Sequence, residues 1–332
     1  MRMTSSFIPT LKEIPADAET KSHQLMLRSG MIRLLASGIY SYIPFGWRIM
    51  KKVAQMIREE MDAIGGQEVF LPALNPIEVW EETGRAEDFG DEMFKFPDRR
   101  SRGMCLAPTH EEVICSIARG EIRSYKDLPQ IWYQIQNKFR DEPRPRSGVL
   151  RTRQFVMKDS YSMDDSEEGL DKSYWKHSEA YHKIFSRCGL DFFVVGASSG
   201  LMGGSASQEF MVEAEVGEDS VALCSHCDYA SNTDVAQFQV EPFRDSKFTK
   251  LEEKHTPNMK TVEEVANYLG LPDRSFIKTL VYVIESKPAL ILIRGDYELN
   301  EGKMLSTFGN IYRPAEPPEV LAACGANAGF VG

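Results

Sequence analysis

Two short apolar-rich runs, IWYQIQNKF at 131–139 and QFVMK at 154–158, flank a loop with Pro143, Pro145 and Gly148 at its bend. Such a pattern predicts an antiparallel strand pair joined by an extended loop. Across Lys138–Arg153 stand six basic residues (Lys138, Arg140, Arg144, Arg146, Arg151, Arg153) and two acidic ones, Asp141 and Glu142. A guanidinium fork grips a phosphate with two parallel hydrogen bonds. An arginine-studded hairpin in an acidic chain, net charge −10, therefore points to a polyphosphate. By its residues alone the stretch also fits a solvated, charged hairpin. The net charge argues against indiscriminate nucleic-acid binding. It still allows a local basic surface, which binds a phosphate backbone and releases it.

A chain of 332 residues exceeds what one compact core usually needs, so two domains are expected. Hydrophobic residues at 42% and charged residues at 27% are ordinary for a soluble globular protein. No run approaches the ~20 apolar residues of a membrane span. The start, MRMTSSFIPTLKEIP, lacks the basic-then-apolar plan of a secretory signal. Six cysteines in this length make no disulfide scaffold, and a reduced, cytoplasmic setting is expected.

Apolar side chains at Met50, Val53, Met56, Ile57, Met61 and Ile64 predict an amphipathic helix over 46–64. Gly65-Gly66 stops it, and Gln67–Leu71 reads as a strand ending at Pro72. Glu111–Arg119 reads as a short helix stopped by Gly120. A longer helix starts at a cap on Asp165 or Ser166, with Glu168 placed for a capping box, and ends at Gly189. His177 lies on its apolar face as a packed core residue. Asp191–Gly196 follows as a strand. A new α/β unit begins near Val221–Asn232. It has a capping box at Thr261–Glu264, two buried strands at Phe276–Ile284 and Ala289–Arg294 around Ser286-Lys287-Pro288, and a helix starting over Asn300–Leu305.

The spacing Phe139-Arg140-x-Glu142, then Arg151-x3-Phe155-x3-Asp159, resembles motif 2 of class II aminoacyl-tRNA synthetases. GGQEVFLPAL at 65–74 resembles motif 1 ending in its proline, Pro72. APTHEE at 107–112 resembles the Thr-x-Glu proline-binding loop of bacterial prolyl-tRNA synthetases, and GGSASQEF at 203–210 their Gly-Gly-Ser segment. The likeness runs from about Ser5 to the last residue. It implies an α+β class II core with an antiparallel sheet flanked by helices over 1–222. A partial α/β inserted editing domain is implied over 223–332. Threonyl- and seryl-type enzymes fit less well, because of the insertion and the Thr-x-Glu loop.

The resemblance implies ATP-dependent activation of L-proline and its transfer to tRNA(Pro) by a homodimer formed through the motif 1 region. Arg140 is expected to hold the α-phosphate and the incoming carboxylate, since preorganised donors aimed at developing charge give the largest catalytic effect. Glu142 is expected to accept the adenine amino group and Phe155 to stack on the ring. Arg151 and Asp159 are expected to brace hairpin and nucleotide, and Mg²⁺ to bridge phosphate oxygens. No all-protein metal cage is visible. Glu111 suits the proline ammonium, Thr109 adds a hydrogen bond, and Gly203, Gly204 and Ser205 allow close backbone approach. Thr109 also fits a helix cap with acids in the first turn. The resemblance implies a histidine where this chain has Gln208, so no proton transfer is assigned there.

A pocket for proline rejects smaller alanine poorly, since missing methylenes are worth only ~1–3 kcal/mol. The family's remedy is cis-editing of alanyl-tRNA. Lys278 matches the editing lysine, although a strand lysine with a snorkelling head fits the same pattern. Arg294-Gly-Asp296-x-Glu-Leu-Asn300 resembles the insert's second signature, and Gly325–Gly332 the start of its substrate loop. Motif 3, with its γ-phosphate arginine, and the anticodon-binding domain have no counterpart in the 332 residues. The chain therefore reads as an N-terminal fragment that does not sustain normal charging alone. The alternative is a non-catalytic tRNA-binding or regulatory paralogue, against which the intact Arg140, Glu142, Phe155, Thr109 and Glu111 argue. Cys224-Ser-His-Cys227 is half of a structural zinc site, which needs four ligands; it reads as two reduced cysteines at a strand turn.

Overall fold

The computed structural model describes residues 2–198, 207–239, 250, 252–308 and 311–331. By internal contacts the chain divides into two units, Met1–Asp191 and Phe192–Gly332. The sequence-based boundary at 222/223 falls inside the second unit, within a short strand, Val221–Leu223.

The first unit is built on helix α1 (Pro44–Ala63), strand β1 (Gln67–Glu68), helix α2 (Glu111–Glu121), strands β2 (Gln130–Phe139) and β3 (Gln154–Met163), and helix α3 (Glu167–Arg187). Pro44 stands in the first turn of α1, where its missing N–H is no loss. Gly65, at φ +89°, turns the chain out of the helix. The Gly66 N–H closes the end on the Met61 carbonyl at 2.9 Å. The motif 1 strand is shorter than expected, two residues rather than five. It runs parallel to β2, pairing Gln67 with Trp132 and Glu68 with Tyr133.

The expected hairpin is present, with β2 and β3 paired antiparallel from Gln130 opposite Met163 to Phe139 opposite Gln154. Alternation divides its two faces. Tyr133 and Ile135 face α1 and α3 and join a core of Met61 and Ala180, with Ile57 and Tyr181 against it. Gln134, Gln136, Lys138 and, beyond the strand, Arg140 share the other parity. An apolar stripe thus fastens the hairpin to the helices and leaves a polar face for chemistry.

Two local expectations need correction. Gly120 does not stop α2, which runs through it to Glu121. Glycine costs only ~1 kcal/mol in a helix, and the real exit is held further on. There the Asp127 carboxylate accepts the Arg123 and Ser124 N–H groups, each at 3.0 Å. At the start of α3 the cap is Ser166, whose hydroxyl accepts the Gly169 N–H at 3.2 Å. Glu168 is drawn away to Lys172 at 2.7 Å and does not answer Asp165. His177 is half-buried, its Nδ1 2.7 Å from the Ser173 carbonyl and its Nε2 2.8 Å from the Ser160 hydroxyl. Burial pushes its imidazole below the usual value, as befits a satisfied core residue.

In the second unit, β4 (Phe193–Ala197), β5 (Ser207–Met211), β6 (Val221–Leu223) and β7 (Ala230–Asn232) form a sheet in the order β5-β4-β7-β6. Cys224 and Cys227 are exposed free thiols between β6 and β7. A second sheet has the order β9-β8-β10, from β8 (Ile277–Ile284), β9 (Lys287–Arg294) and β10 (Tyr312–Pro314). Helices α4 (Val262–Leu269), α5 (Glu301–Phe308) and α6 (Pro317–Cys324) accompany it. The β8–β9 turn is Glu285-Ser286, both at positive φ, 49° and 64°, the backbone that matches strand twist in a two-residue hairpin. Lys287 and Pro288 therefore belong to β9 and not to the turn. Proline is tolerated there because β9 is an edge strand.

The capping box of α4 forms as its sequence implies. Thr261 Oγ1 accepts the Glu264 N–H at 3.2 Å, and Glu264 Oε2 accepts the Thr261 N–H at 3.0 Å. Replacing Thr261 by alanine is expected to destabilise this unit by ~1 kcal/mol, while serine keeps most of the stability. Urea denaturation of the three proteins checks this. Equal losses in Ala and Ser would assign the effect to the methyl group rather than the cap.

Candidate active site

The polar face of β2–β3 carries the first site. At its centre Lys138 is fully buried. Its ammonium lies 2.8 Å from Asp159 Oδ1 and 2.7 Å from His110 Nδ1. Asp159 Oδ2 accepts from Gln134 Nε2 at 2.9 Å and from the Tyr161 hydroxyl at 2.6 Å. Burial pushes both Lys138 and His110 below their usual values, and Asp159 beside Lys138 acts the other way on each. A charge this far from water survives only when paired and hydrogen-bonded.

The Thr-x-Glu loop abuts this cluster. Thr109 Oγ1 lies 2.7 and 2.6 Å from the two Glu111 oxygens, so its hydroxyl donates to that carboxylate. Arg85 Nη1 reaches Glu111 at 3.3 Å and the buried Glu112 at 2.7 Å. The Arg85 guanidinium also lies 5.5 Å from the Trp80 ring and 5.4 Å from the Phe89 ring. Glu111 is thus a carboxylate oriented from two sides at the head of α2.

Arg140 follows β2. Its guanidinium lies 5.5 Å over the Phe155 ring, and its buried Nε has no hydrogen-bond acceptor. Desolvation pushes it below the usual guanidinium range, opposed by Glu92 and Glu111. No carboxylate is within ion-pair distance of Arg140 among the described residues. An arginine stays charged in such a place, so the site holds a partly desolvated cation without a fixed anion. Glu142 is spoken for differently. Arg151 Nε lies 2.8 Å from its Oε2, and the Arg144 N–H donates to Oε1 at 3.1 Å. These contacts hold its carboxyl below the usual range.

Of the residues singled out from sequence, Thr109, Glu111, Arg140 and Phe155 come together on the polar side of one sheet. Glu142 and Arg151 pair with each other in the hairpin loop. Asp159 is nearly buried and spends both oxygens on Lys138, Gln134 and Tyr161, so it braces the strands from within. Gly203, Gly204 and Ser205 lie outside the described residues. Sequence reasoning missed Lys138, His110, Gln134 and Tyr161 as a group. The available signal was the period-two recurrence of polar residues through Gln134, Gln136, Lys138 and Arg140.

A second site lies in the second unit, a cavity of about 610 Å³ lined by Lys260, Thr261, Lys278, Glu298, Ala315 and Gly329 among others. Lys278 projects from β8 and its Nζ donates to Glu298 Oε1 at 2.8 Å. Asp296 does not line this cavity. Arg294 Nε and Nη2 donate to its two oxygens at 2.6 and 3.0 Å, and that fork holds its carboxyl below the usual range. Lys278 and Asp296 are therefore not brought together, and Glu298 is the acidic partner that sequence reasoning passed over. Glu298 is the glutamate of the same signature, two residues after Asp296.

Residues 94–282 match the tRNA synthetase class II core domain (G, H, P, S and T), and residues 256–332 the aminoacyl-tRNA editing domain. The chain belongs to the class II aminoacyl-tRNA synthetase core family. Its similar relatives are proline–tRNA ligases. That of Anaeromyxobacter sp. (strain K) is 52% identical over 100% of this chain and 58% of the relative. That of Caldicellulosiruptor saccharolyticus is 50% identical over the same shares, 100% and 58%. The chain thus spans 58% of the length of these curated relatives. A structure of Giardia lamblia prolyl-tRNA synthetase in complex with prolyl-adenylate aligns with a TM-score of 0.51 at 20% identity, over 54% of this chain and 38% of the other; it bears on the fold alone. The α+β architecture expected from sequence agrees with these matches. No helix among the described residues is long and apolar enough to cross a membrane.

Proposed function

We propose that the protein acts as a proline–tRNA ligase, joining L-proline to ATP and passing the prolyl group to tRNA(Pro), with hydrolysis of mischarged alanyl-tRNA in the second unit. The observation that carries the reading is Arg140, a partly desolvated guanidinium with no ion-paired carboxylate among the described residues, close to the oriented Thr109–Glu111 pair. In the first step a proline carboxylate oxygen attacks the α-phosphorus. An O–P bond forms, and the bond to pyrophosphate breaks. Two anions meet, and Arg140 offsets their charge. Glu111 receives the proline ammonium and Thr109 fixes its carboxylate. Glu142, oriented by Arg151, accepts the adenine amino group, and the base shares the Phe155 ring with Arg140. Asp159 acts from beneath by holding Lys138. Gly203, Gly204 and Ser205 belong to the proline pocket in this reading. Mg²⁺ accompanies the ATP phosphates, as it favours phosphate oxygens and retained waters.

The functional division is 1–222 for synthesis and 223–332 for editing, with Lys278 as the editing lysine. Asp296 acts there only through Arg294. The setting is the cytoplasm. The assembly is a homodimer through α1 and β1, a region supported by the half-exposed Trp47 and the largely exposed Phe70. The test is amino-acid-dependent ATP–pyrophosphate exchange by the full-length protein across the twenty amino acids. Proline is expected to give the highest kcat/KM. A higher value for threonine or serine would sink the assignment.

A further inference from the structure

One buried polar chain ties together three segments of the first unit that are far apart in sequence. His110 sits between Thr109 and Glu111, with no exposed surface. Its Nε2 is 3.0 Å from the Pro72 carbonyl, four residues past β1. Its Nδ1 is 2.7 Å from the Lys138 ammonium on β2. Its backbone N–H donates to the Tyr161 hydroxyl on β3 at 3.1 Å. A carbonyl only accepts and an ammonium only donates. The ring must therefore be neutral, with its proton on Nε2 and its lone pair on Nδ1.

Lys138 has the matching constraint. It is fully buried, lies at hydrogen-bond distance from His110 Nδ1 and is ion-paired with Asp159 Oδ1 at 2.8 Å. Asp159 is in turn fixed by Gln134 and Tyr161. Gln134 Oε1 accepts the Leu71 N–H at 3.3 Å, and Gln136 Nε2 donates to the Leu71 carbonyl at 2.6 Å. The network therefore returns to the segment that carries Pro72. Lys138 lies two residues before Arg140 and directly opposite Phe155 in the strand register.

We propose that Lys138 and His110 are positioning residues for the amino-acid subsite. Through the Lys138–His110–Pro72 strut they set the Thr109–Glu111 pair at a fixed height above the strands carrying Arg140 and Phe155. The inference rests on the reading of Thr109 and Glu111 as the proline site. Both strut residues are fully buried, so neither presents a surface to substrate. Their effect falls on the amino acid because the strut ends in the Thr-x-Glu loop. Of the nucleotide's partners, Glu142 and Arg151 pair with each other in the hairpin loop past Arg140, while Phe155 stands on the strand opposite Lys138 and is held there by the ladder itself. A displacement of about 1 Å in a reactive arrangement costs ~10²-fold, so a loosened loop is visible in kinetics without loss of fold.

The test uses proline-dependent pyrophosphate exchange by the full-length protein with His110→Asn, His110→Phe and Lys138→Met. Asparagine keeps an acceptor near the Nδ1 position, whereas phenylalanine keeps the ring shape and removes both polar ends. The strut predicts that His110→Phe and Lys138→Met raise KM for proline by roughly tenfold to a hundredfold. KM for ATP is expected to move by less than about threefold, and His110→Asn to retain more proline affinity than His110→Phe. Parallel increases in both KM values, or His110→Phe outperforming His110→Asn, would make the residues simple packing and overturn the proposal. A measurement without variants stands beside this. Nitrogen shifts of ¹⁵N-histidine-labelled wild-type protein are expected to show one neutral imidazole protonated at Nε2, whose signals vanish in His110→Asn. An imidazolium, or a proton on Nδ1, would overturn the strut even if the kinetics agreed. Failure to activate proline at all would strike the functional reading instead, and the tautomer result would still judge the strut.

Discussion

Replacing Arg140 by alanine in the full-length protein is expected to lower kcat of proline-dependent pyrophosphate exchange by roughly 10²–10³-fold, the loss typical of a single preorganised donor at developing charge. The physical case lies in the cost already built into the fold. A guanidinium has been taken partly out of water, stacked on Phe155 at 5.5 Å, and left with a buried Nε that has no acceptor. Glu92 and Glu111 favour its charge from a distance and do not neutralise it in contact. Such a group gains most when an anion arrives, and more when that anion gathers charge. A lysine at 140 keeps the charge but loses the planar fork, and is expected to recover only part of the rate. A raised KM with kcat unchanged would mean that Arg140 binds ground state and transition state equally, and the assigned role would fall.

The parts of this molecule legible in the sequence are those fixed by short-range rules. The hairpin over 130–163, the long helix before Gly65, the Ser166 cap and the Thr261 capping box follow from period, turn residues and caps acting over a few positions. Gly120 and the Ser286-Lys287-Pro288 turn misled for a related reason. Glycine and proline mark breaks by propensity, and tertiary context overrode both. A helix carried through one glycine, and an edge strand accepted one proline. Arg140, Glu142 and Phe155 stood out by their motif-like spacing, but their surroundings did not. Sequence shows no means of knowing that Arg151 engages Glu142, or that among the described residues no carboxylate pairs with Arg140. Least legible was the Lys138–His110–Asp159 cluster. Its members come from three segments, and each looks ordinary alone: a lysine among arginines, a histidine between two motif residues, an aspartate closing a spacing. Only the strand register and burial turn them into one object. The same holds for Lys278, whose pairing with Glu298 and the binding of Asp296 by Arg294 are not written in the signature's spacing.

Substituting alanine for Lys278 is expected to reduce alanyl-tRNA deacylation by the full-length protein by roughly 10–100-fold and to leave proline-dependent pyrophosphate exchange near wild type. The magnitude is that of one hydrogen bond to a charged group, ~1.5–3 kcal/mol. The Lys278 side chain is 19% exposed and lines a cavity of about 610 Å³, and it pairs with Glu298, whose own side chain is 93% exposed. So exposed a partner holds the ammonium weakly, because solvent screens surface pairs to ~0–1 kcal/mol. The ammonium is therefore free to exchange Glu298 for a carbonyl or phosphate oxygen of a bound tRNA end. Glu298→Gln provides the control on that argument. Removing the competing carboxylate should preserve deacylation far better than removing the lysine. If Glu298→Gln were as damaging as Lys278→Ala, the acid itself would be the working group. If Lys278→Ala abolished pyrophosphate exchange in a folded protein, the lysine would serve synthesis, and the proposed division of labour between 1–222 and 223–332 would be wrong.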